Sequence, residues 1–414
     1  MNILLINHYA GSVRHGMEYR PYYLAREWVR AGHRVTIVAA SASHVRTQAP
    51  PLGRRARMEE SIDGIDYVWL ATPAYRGNGM GRLRNMGTFL WRLGAAGAQL
   101  ARTVRPDAVI ASSTYPLDIW PAARIARLAG ARLLYEVHDL WPLSPMELGG
   151  YSARHPFIML LQAAEDFACR RADAIVSILP KVRPHLEAHG MAPHKLLLVP
   201  NGVDPAEWQA PPTPLPARLE ADLDGLRRQG RFIVGYAGTH GIANALGTLL
   251  DAAHRLHGHP VAFALVGAGP DKPALERHAA MQGLDNVHFF EPVAKPQVPA
   301  LLARFDVAYI GWRRQPLYRF GISPNKLLDY MMAGRPILHA VDAGNDPVRE
   351  AGCGITVAPD DPQAIADAVL ALRALAPEAR RALGRRGQAH ALANHTYPVL
   401  GQRFLTALAG DRHA

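Results

Sequence analysis

Hydrophobic and polar residues follow two alternating periods along the chain. Short apolar runs rich in Val, Ile and Leu, typical of buried parallel strands, alternate with longer stretches whose apolar residues recur every three to four positions, as in amphipathic helices. In the N-terminal half, the first helix is predicted at 21–31, and the predicted strands are 3–6, 35–39, 67–70, 108–111, 133–137, 174–177 and 197–200. This alternation predicts βαβ units on a parallel sheet.

A second series of strands follows a break in the pattern. The break consists of a Pro-Asn-Gly-Val-Asp segment at 200–204 and a proline-rich stretch at 210–216. The second set of predicted strands is 232–236, 262–266, 287–289, 307–310, 336–340 and 354–357, and a long helical stretch covers 377–409. The sequence therefore predicts an α/β protein of two Rossmann-like, doubly wound domains whose sheets face a central cleft with their carboxyl ends.

Composition agrees with a folded protein of more than one core. A chain of 414 residues with 49% hydrophobic and 20% charged residues exceeds the usual size of one domain and lacks the composition of a disordered chain. The two cysteines, Cys169 and Cys353, have neither disulfide-framework nor metal-site spacing, which favours a reducing cytoplasm. The apolar start at 1–7 lacks a basic leader and is interpreted as a strand, and no stretch has the length of a membrane span.

The formal net charge of +11 leaves three classes of anionic partner open: nucleic acid, anionic lipid and a small anionic substrate. Arginines on solvated helix faces explain much of the excess equally well. A glycine-rich loop at 76–81 leads into a basic amphipathic stretch at 82–102, the pattern of helices that rest on anionic membranes. We therefore expect peripheral membrane contact there, with an ordinary half-buried helix as the alternative.

The strongest local pattern lies at 320–337, which reads as a glycine loop, a helix, a tight turn and a strand. Free amides at a helix start, together with the helix dipole, form an anion site suited to a diphosphate. Lys326 adds a positive charge there, and Asp329, one turn further, is placed to accept hydrogen bonds from ribose hydroxyls. An ordinary capped helix with a solvated lysine and aspartate fits the same spacing.

This segment resembles the nucleotide-sugar signature of the retaining glycosyltransferases with the GT-B fold, family four. Further resemblances are the Asn-Gly-Val-Asp motif at 201–204, Tyr-Ala-Gly at 236–238 and Gly-Ala-Gly-Pro at 267–270. The resemblance implies an N-terminal acceptor domain at 1–205, a nucleotide-sugar domain at 206–385, and a C-terminal helix at 386–414 that returns to the first domain. It also implies a nucleotide-sugar substrate and no cofactor.

Two departures from the family pattern affect the donor. The family has two acidic residues eight apart, but here Gly321 occupies the first position and only Asp329 remains. The arginine and lysine of the family's phosphate clamp are missing from 238–244, so Arg319 or Lys326 is expected to supply the charge. The Ser-Pro-Asn-Lys form at 323–326 resembles a bacterial polysaccharide and O-antigen branch that includes N-acetyl-L-fucosamine transferases, which favours a deoxy or N-acetylated donor sugar.

The resemblance implies a set of site residues. His138 follows a predicted strand directly, at the carboxyl end where ligands bind, and is the predicted catalytic residue through a hydrogen bond to the donor sugar. The predicted donor-binding residues are Gly16, Gly238, Thr239, Asn244, Glu291, Val293, Arg319, Gly321, Ile322, Ser323, Pro324, Asn325, Lys326 and Asp329. The predicted acceptor-binding residues are Glu18, Arg20, Asn78 and Arg82. Asp139 is expected either to orient His138 or to cap the segment that follows, and no metal is expected at the site.

These observations predict a metal-independent, retaining hexosyltransferase. It moves a sugar from a nucleotide diphosphate, expected to be UDP, to a glycan or polyprenyl-diphosphate-linked acceptor in surface polysaccharide or O-antigen synthesis, in the cytoplasm or at the inner face of the membrane. No enzymic nucleophile is evident, so front-side attack is the expected mechanism. Two alternatives stay open: a nucleotide-sugar 2-epimerase on the same fold, and a basic nucleic-acid-binding protein, although no stacking aromatic strip accompanies the charge.

Overall fold

A computed structural model describes residues 1–16, 19–77 and 79–409, and the chain divides into two units. The first contains Met1–Asn201, Phe320–Ser323 and the chain from Tyr397 onwards. The second contains Gly202–Arg319 and Pro324–Thr396. The first boundary therefore falls after Asn201 and not after residue 205.

The first unit is built on a sheet of eight strands within the described residues. The strands are β1 (Asn2–Ile6), β2 (Arg34–Ala40), β3 (Arg57–Ile62), β4 (Ile65–Leu70), β5 (Ala108–Ala111), β6 (Arg132–Val137), β7 (Ala174–Ser177) and β8 (Leu196–Leu198). Their order is β3-β4-β2-β1-β5-β6-β7-β8, and all pairs are parallel except β3 with β4. The predicted strands are present with ends shifted by at most two residues, and β3 is an addition.

Helices cover both faces of this sheet. They are α1 (Arg20–Arg30), α2 (Met80–Val104), α3 (Ile119–Ala129), α4 (Leu143–Gly149), α5 (Pro156–Arg171) and α6 (Arg183–Ala188). Because side chains alternate along a strand, β1 supplies two cores: Ile3 packs with Trp28 of α1 on one face, and Leu4 packs with Phe89 of α2 on the other. Such burial on both faces explains the uninterrupted apolar runs of the sequence.

The second unit contains a sheet of six parallel strands, counted over the described residues. The strands are β9 (Phe232–Ala237), β10 (Val261–Val266), β11 (Val287–Phe290), β12 (Val307–Gly311), β13 (Ile337–Ala340) and β14 (Gly354–Val357). Their order is β11-β10-β9-β12-β13-β14. Successive strands are thus added to one side of β9 up to β11 and to its other side from β12 onwards. The helices are α7 (Pro205–Gln209), α8 (Ala217–Arg228), α9 (Leu246–Arg255), α10 (Lys272–Met281), α11 (Val298–Leu302), α12 (Asn325–Met332), α13 (Pro347–Ala351), α14 (Pro362–Ala374) and α15 (Pro377–Asn394).

The long C-terminal helical stretch is two helices. The first, α15, ends at Asn394 in the second unit, and α16 (Tyr397–Ala409) packs on α1 in the first unit. The ring of Tyr397 stacks on Tyr23 with centroids 4.7 Å apart, and Phe404 meets Trp28 at 5.0 Å. The returning segment therefore begins at Tyr397, and the predicted start at residue 386 is wrong.

In the described part of the chain, no helix is both long enough and apolar enough to cross a membrane.

Candidate functional site

In the first unit, polar groups meet where the strand order reverses. The chain runs from β1 outward in one direction and from β5 in the other, so ligands of such sheets bind beyond the carboxyl ends of these two strands. Asn7, after β1, donates from Nδ2 to the carbonyl of Ser112, after β5, over 2.6 Å. The backbone amide of His8 donates to the Ser113 hydroxyl at 3.0 Å. The two strand ends are thereby fixed to each other.

A buried network orients His138. Glu136 and His138 are two residues apart at the end of β6, so their side chains lie on the same side of the strand. Glu136 is 1% exposed and its Oε2 accepts a hydrogen bond of 2.6 Å from the Ser112 hydroxyl. Nε2 of His138 lies 3.0 Å from that hydroxyl and 3.3 Å from Oε2 of Glu136. The imidazole is therefore held in one orientation at the carboxyl end of the sheet.

Arg20 is the second partner of Glu136. Its Nε and Nη2 donate to Oε1 of Glu136 at 3.0 and 2.9 Å, and its Nη1 donates to the carbonyl of Pro200 at 2.6 Å. Burial alone would raise the pKa of Glu136, but the charges of His138 and Arg20 outweigh it and hold that pKa well below its ordinary value. Arg20 is buried, and its Nε, Nη1 and Nη2 all donate within the first unit, so in this structure it positions Glu136. Its contact with an acceptor stays a prediction.

The other predicted residues of the first unit are placed as follows. Arg82 of α2 is half-buried and donates to the Tyr9 hydroxyl at 3.0 and 3.2 Å. Gly16 is buried in a turn that begins at Ser12, and its amide donates to the carbonyl of Ser12 at 2.8 Å. Asp139 accepts from the Ser144 hydroxyl at 2.6 Å and from the Leu140 amide at 2.8 Å, so it fixes the turn before α4, whose N-cap residue is Pro142. Two predicted acceptor-binding residues, Glu18 and Asn78, lie outside the described residues.

The segment Phe320–Ser323 belongs to the first unit, and its geometry explains the missing carboxylate. Gly321 has a φ of +92°, a conformation that residues with side chains adopt only under strain. Ile322 is buried. The Ser323 hydroxyl accepts from the amide of Asn201 at 2.7 Å, and the Ser323 carbonyl accepts from Nδ2 of Asn201 at 2.6 Å. Ser323 is thus bonded to the Asn-Gly-Val-Asp motif through Asn201.

In the second unit, a pocket of about 390 Å³ lies beyond the ends of β9 and β10. Its lining includes Gly238, Thr239, Gly267, Ala268, Val293, Lys326, Asp329 and Tyr330. The loops after the two strands are joined by a 2.9 Å hydrogen bond from the His240 amide to the Ala268 carbonyl. A Cβ atom at Gly267 would lie 1.9 Å from the Gly238 carbonyl oxygen, so only glycine permits this approach.

Lys326 places an ammonium group in this pocket. Its Nζ lies 2.7 Å from the Tyr236 hydroxyl, 3.4 Å from Oδ1 of Asn244, and 4.0 Å from the centroid of the Tyr236 ring. Among the described residues no carboxylate lies within ion-pair distance of Nζ. Burial lowers the pKa of Lys326 to about 8. The expected solvated lysine of an ordinary helix is therefore not what the structure contains.

Asp329 lies one turn further along α12 and also lines the pocket. It is half-buried, and burial raises the pKa of its carboxyl to about 7. Tyr330 fixes the helix beside it, because the Ala237 amide donates to the Tyr330 hydroxyl at 2.9 Å. The helix begins at Asn325, with Pro324 as its N-cap residue.

The remaining predicted residues of the second unit vary in exposure. Asn244 donates from Nδ2 to the Thr239 carbonyl at 3.0 Å, and the Thr239 side chain is exposed. Val293 is half-buried in the pocket wall, whereas Glu291 is exposed and pairs with Lys272 at 2.7 Å. Arg319 is exposed and donates to the Pro316 carbonyl at 2.7 Å.

Four residues that organise these two places carried no predicted role: Ser112, Glu136, Tyr236 and Tyr330. A glutamate inside an otherwise apolar strand was the available signal for Glu136, because buried carboxylates are rare unless paired. In the sequence, Tyr236 and Tyr330 cannot be distinguished from ordinary core residues. Their hydroxyl contacts depend on loops that are distant in sequence.

The two doubly wound units, each with polar groups at the carboxyl ends of its strands, have the architecture of the GT-B fold. Residues 15–202 match the model of the "Glycosyl transferase 4-like domain", and residues 231–374 match that of "Glycosyl transferases group 1". The chain is therefore a glycosyltransferase with these two domains.

Named relatives and a solved structure agree with this class. The chain is 27% identical to WcaI of Escherichia coli K12, which carries the name of a colanic acid biosynthesis glycosyl transferase, over 74% of this chain and 75% of that protein. It is 27% identical to the D-rhamnosyltransferase WbpZ of Pseudomonas aeruginosa, over 66% and 72% of the two chains. The Anabaena protein HepE, solved with UDP and glucose, superposes with a TM-score of 0.66 at 16% identity, over 99% and 100% of the chains. The predicted fold class, two Rossmann-like domains of the GT-B type, is confirmed.

Proposed function

We propose that this glycosyltransferase moves a hexose-type sugar from a nucleotide diphosphate, UDP in the first instance, to a glycan or polyprenyl-diphosphate-linked acceptor, with retention of configuration. Surface polysaccharide synthesis, of the O-antigen or colanic acid kind, is the proposed context. The names of the two relatives, a colanic acid glycosyl transferase and a D-rhamnosyltransferase, support this context.

The observation that carries the proposal is the ammonium group of Lys326. A cation removed from water without an opposite charge is costly, and its only hydrogen-bonding partners among the described residues are neutral. A diphosphate in the pocket would supply that opposite charge. Asp329, in the same pocket, would accept hydrogen bonds from the ribose. The pair thus suits a nucleotide diphosphate better than a neutral ligand.

The proposed chemistry follows from charge development in the reaction. As the bond from sugar to phosphate breaks, negative charge grows on the leaving diphosphate, where Lys326 and the first amides of α12 stabilise it. The acceptor hydroxyl attacks from the side of the leaving group and gives its proton to the departing phosphate oxygen. His138, whose ring Ser112 and Glu136 orient, hydrogen-bonds the transferred sugar. No metal takes part in the proposed step.

The donor sugar is proposed to be deoxy or N-acetylated. A family carboxylate that would bond sugar hydroxyls is replaced by Gly321, whose positive φ disfavours any side chain. A sugar that lacks a hydroxyl needs one acceptor fewer, and the N-acetylated alternative rests on the resemblance of residues 323–326. The D-rhamnosyltransferase relative supports a deoxy sugar, since rhamnose is a 6-deoxyhexose.

Nucleotide binding by the Lys326→Met variant tests the proposal. Titration calorimetry with UDP is expected to show binding that is at least about tenfold weaker than for the natural chain, because a charge-assisted hydrogen bond of about 1.5–3 kcal/mol is lost. Binding of uridine, which has no phosphate, should change little. The control is Arg277→Met, which removes one exposed positive charge from α10 in the same unit.

Equal UDP affinity in Lys326→Met and the natural chain would contradict the proposed phosphate contact. GDP in the same titrations determines the base. Consumption of a UDP-sugar without acceptor, with formation of its 2-epimer, would favour the epimerase alternative over transfer.

A further inference from the structure

A cluster of polar side chains joins α5 and α6 in the first unit. Glu165 and Asp166 come from α5, and His185 and His189 come from α6 and its C-cap. Nε2 of His185 lies 2.9 Å from Oε1 of Glu165, and Nδ1 of His189 lies 2.9 Å from Oδ1 of Asp166. The two histidines are four residues apart, so they share one side of the helix.

The cluster contains more negative charge than positive charge. Glu165 is 1% exposed, and in the described residues no lysine or arginine lies within ion-pair distance of its carboxylate. The nearest described cation to Asp166 is Arg170, which is largely exposed and 3.8 Å away. With neutral histidines, the negative charge of the two carboxylates is therefore opposed by one largely exposed arginine. A buried carboxylate without a cation is unusual.

Polar atoms of both helices also meet at Gln162. Its Nε2 lies 3.0 Å from Oε2 of Glu165, 2.8 Å from Oδ1 of Asp166 and 2.9 Å from Nδ1 of His189. The two carboxylates accept the two hydrogens of the amide nitrogen, and Nδ1 of His189 pairs with Oδ1 of Asp166. Atoms of the kind that bind metals therefore converge on this place from both helices.

We propose that Glu165, His185 and His189 bind one zinc ion. Each offers a ligand atom, and these atoms lie within 4.8 Å of one another. Tetrahedral zinc with bonds of about 2.0–2.2 Å requires ligand atoms about 3.3–3.5 Å apart, a spacing that small side-chain rotations supply. Two imidazoles and a carboxylate suit zinc, whereas magnesium prefers oxygen ligands alone. Asp166 or a water completes the fourth position.

The ion would act on structure and not on the transferred sugar. It neutralises the buried Glu165 carboxylate and ties α5 to α6. The ring of His185 also contacts Phe320 with centroids 5.5 Å apart, and the amide of Lys181, just before α6, donates to the Phe320 carbonyl at 2.9 Å. Zinc is therefore expected to stabilise the segment that ends at Ser323.

Zinc titration of the metal-stripped full chain tests this site. Calorimetry is expected to show one zinc ion per chain, with a rise in melting temperature, and no comparable binding of magnesium. His185→Gln and His189→Gln should each bind zinc at least about tenfold more weakly. His194→Gln, which removes an exposed histidine of the same unit, is the matched control and should bind zinc like the natural chain.

Two results would overturn the proposal: a natural chain that takes up no stoichiometric zinc, or a double His185→Gln/His189→Gln variant that binds zinc as tightly as the natural chain. Cobalt spectra of the natural chain keep the test valid if a variant does not fold. Intense visible bands of four-coordinate cobalt support the site, and the weak spectrum of the hydrated ion contradicts it.

Discussion

Lys326 and Glu136 are charged side chains removed from water, and their surroundings differ. Glu136 has Arg20 at 2.9 Å, and this cation helps to lower its pKa. Lys326 has only neutral described partners, and burial lowers its pKa to about 8. The charge of Glu136 is thus paired inside the protein, whereas the charge of Lys326 has no carboxylate partner among the described residues.

The pH dependence of UDP binding follows from the lowered pKa of Lys326. The free protein holds the Lys326 proton below about pH 8 and loses it above, so the positive charge is present in the acid range. The dissociation constant measured by calorimetry should therefore rise above pH 8, by up to about tenfold per pH unit, in a range where the Asp329 carboxyl, with a pKa of about 7, is already ionised. Lys326→Met should lack this rise. The same rise in both proteins would show that another group is responsible.

A double-mutant cycle on Arg20 and Glu136 measures the buried pair that orients His138. Removing one partner leaves the other charge buried, so Arg20→Met and Glu136→Gln should each lower the free energy of unfolding by about 3–5 kcal/mol. The double variant should lose less than the sum. Denaturant unfolding at neutral pH gives these energies. Strict additivity would mean that the pair is not coupled.

At the scale of elements, periodicity in the sequence predicts most of the fold. Strands such as β5 and β7 were predicted at their observed bounds, because strands buried on both faces have uninterrupted apolar sequences. The edge strand β3 was missed since its Arg-Met-Glu-Glu-Ser-Ile sequence shows no apolar run. An Asp-Gly pair between β3 and β4, with Asp63 and Gly64 both at positive φ, was the available hairpin signal.

The candidate site was less predictable than the fold. Local sequence drew attention to Lys326 and Asp329, because both lie on one short helix, but only the family resemblance favoured a donor site over an ordinary capped helix. The pairing of Glu136 with Arg20 joins residues 116 positions apart, and no local pattern encodes it. The break between α15 and α16 was also missed, because helical residues continue on both sides of His395 and Thr396.

Packing of α16 on α1 predicts that the C-terminal helix stabilises the first unit. Phe404 is fully buried against Trp28, so Phe404→Ala should lower the free energy of unfolding by about 3–5 kcal/mol. Gln402→Ala on the exposed side of the same helix should change it by less than about 0.5 kcal/mol. Denaturant titration of both variants gives the comparison. Similar small losses in the two would show that α16 is not part of the core.

At the scale of the whole molecule, the chain carries a net charge of +11. Its helix α2 also exposes apolar side chains. Met80 is 78% exposed and Trp91 is 69% exposed, while Phe89 faces the core. Exposed arginines, Arg84 among them, lie on the same helix. This combination favours the proposed contact with an anionic membrane over the alternative of an ordinary half-buried helix.

Vesicle flotation tests that contact. The chain should float with vesicles rich in phosphatidylglycerol at low salt and less so at high salt, because screening weakens the charge attraction. Trp91→Ser should float several-fold less than the natural chain. Met281→Ser, which changes an equally exposed apolar residue on α10, is the control. If Trp91→Ser floats as well as the natural chain, α2 does not lie at the membrane interface.

An experimental structure with bound UDP would show whether the pocket beside α12 holds the diphosphate of a sugar nucleotide. We expect a phosphate oxygen about 2.7–2.9 Å from Nζ of Lys326 and a ribose hydroxyl hydrogen-bonded to Asp329. A diphosphate bound elsewhere on the chain, with Lys326 still bonded only to Tyr236 and Asn244, would contradict this expectation.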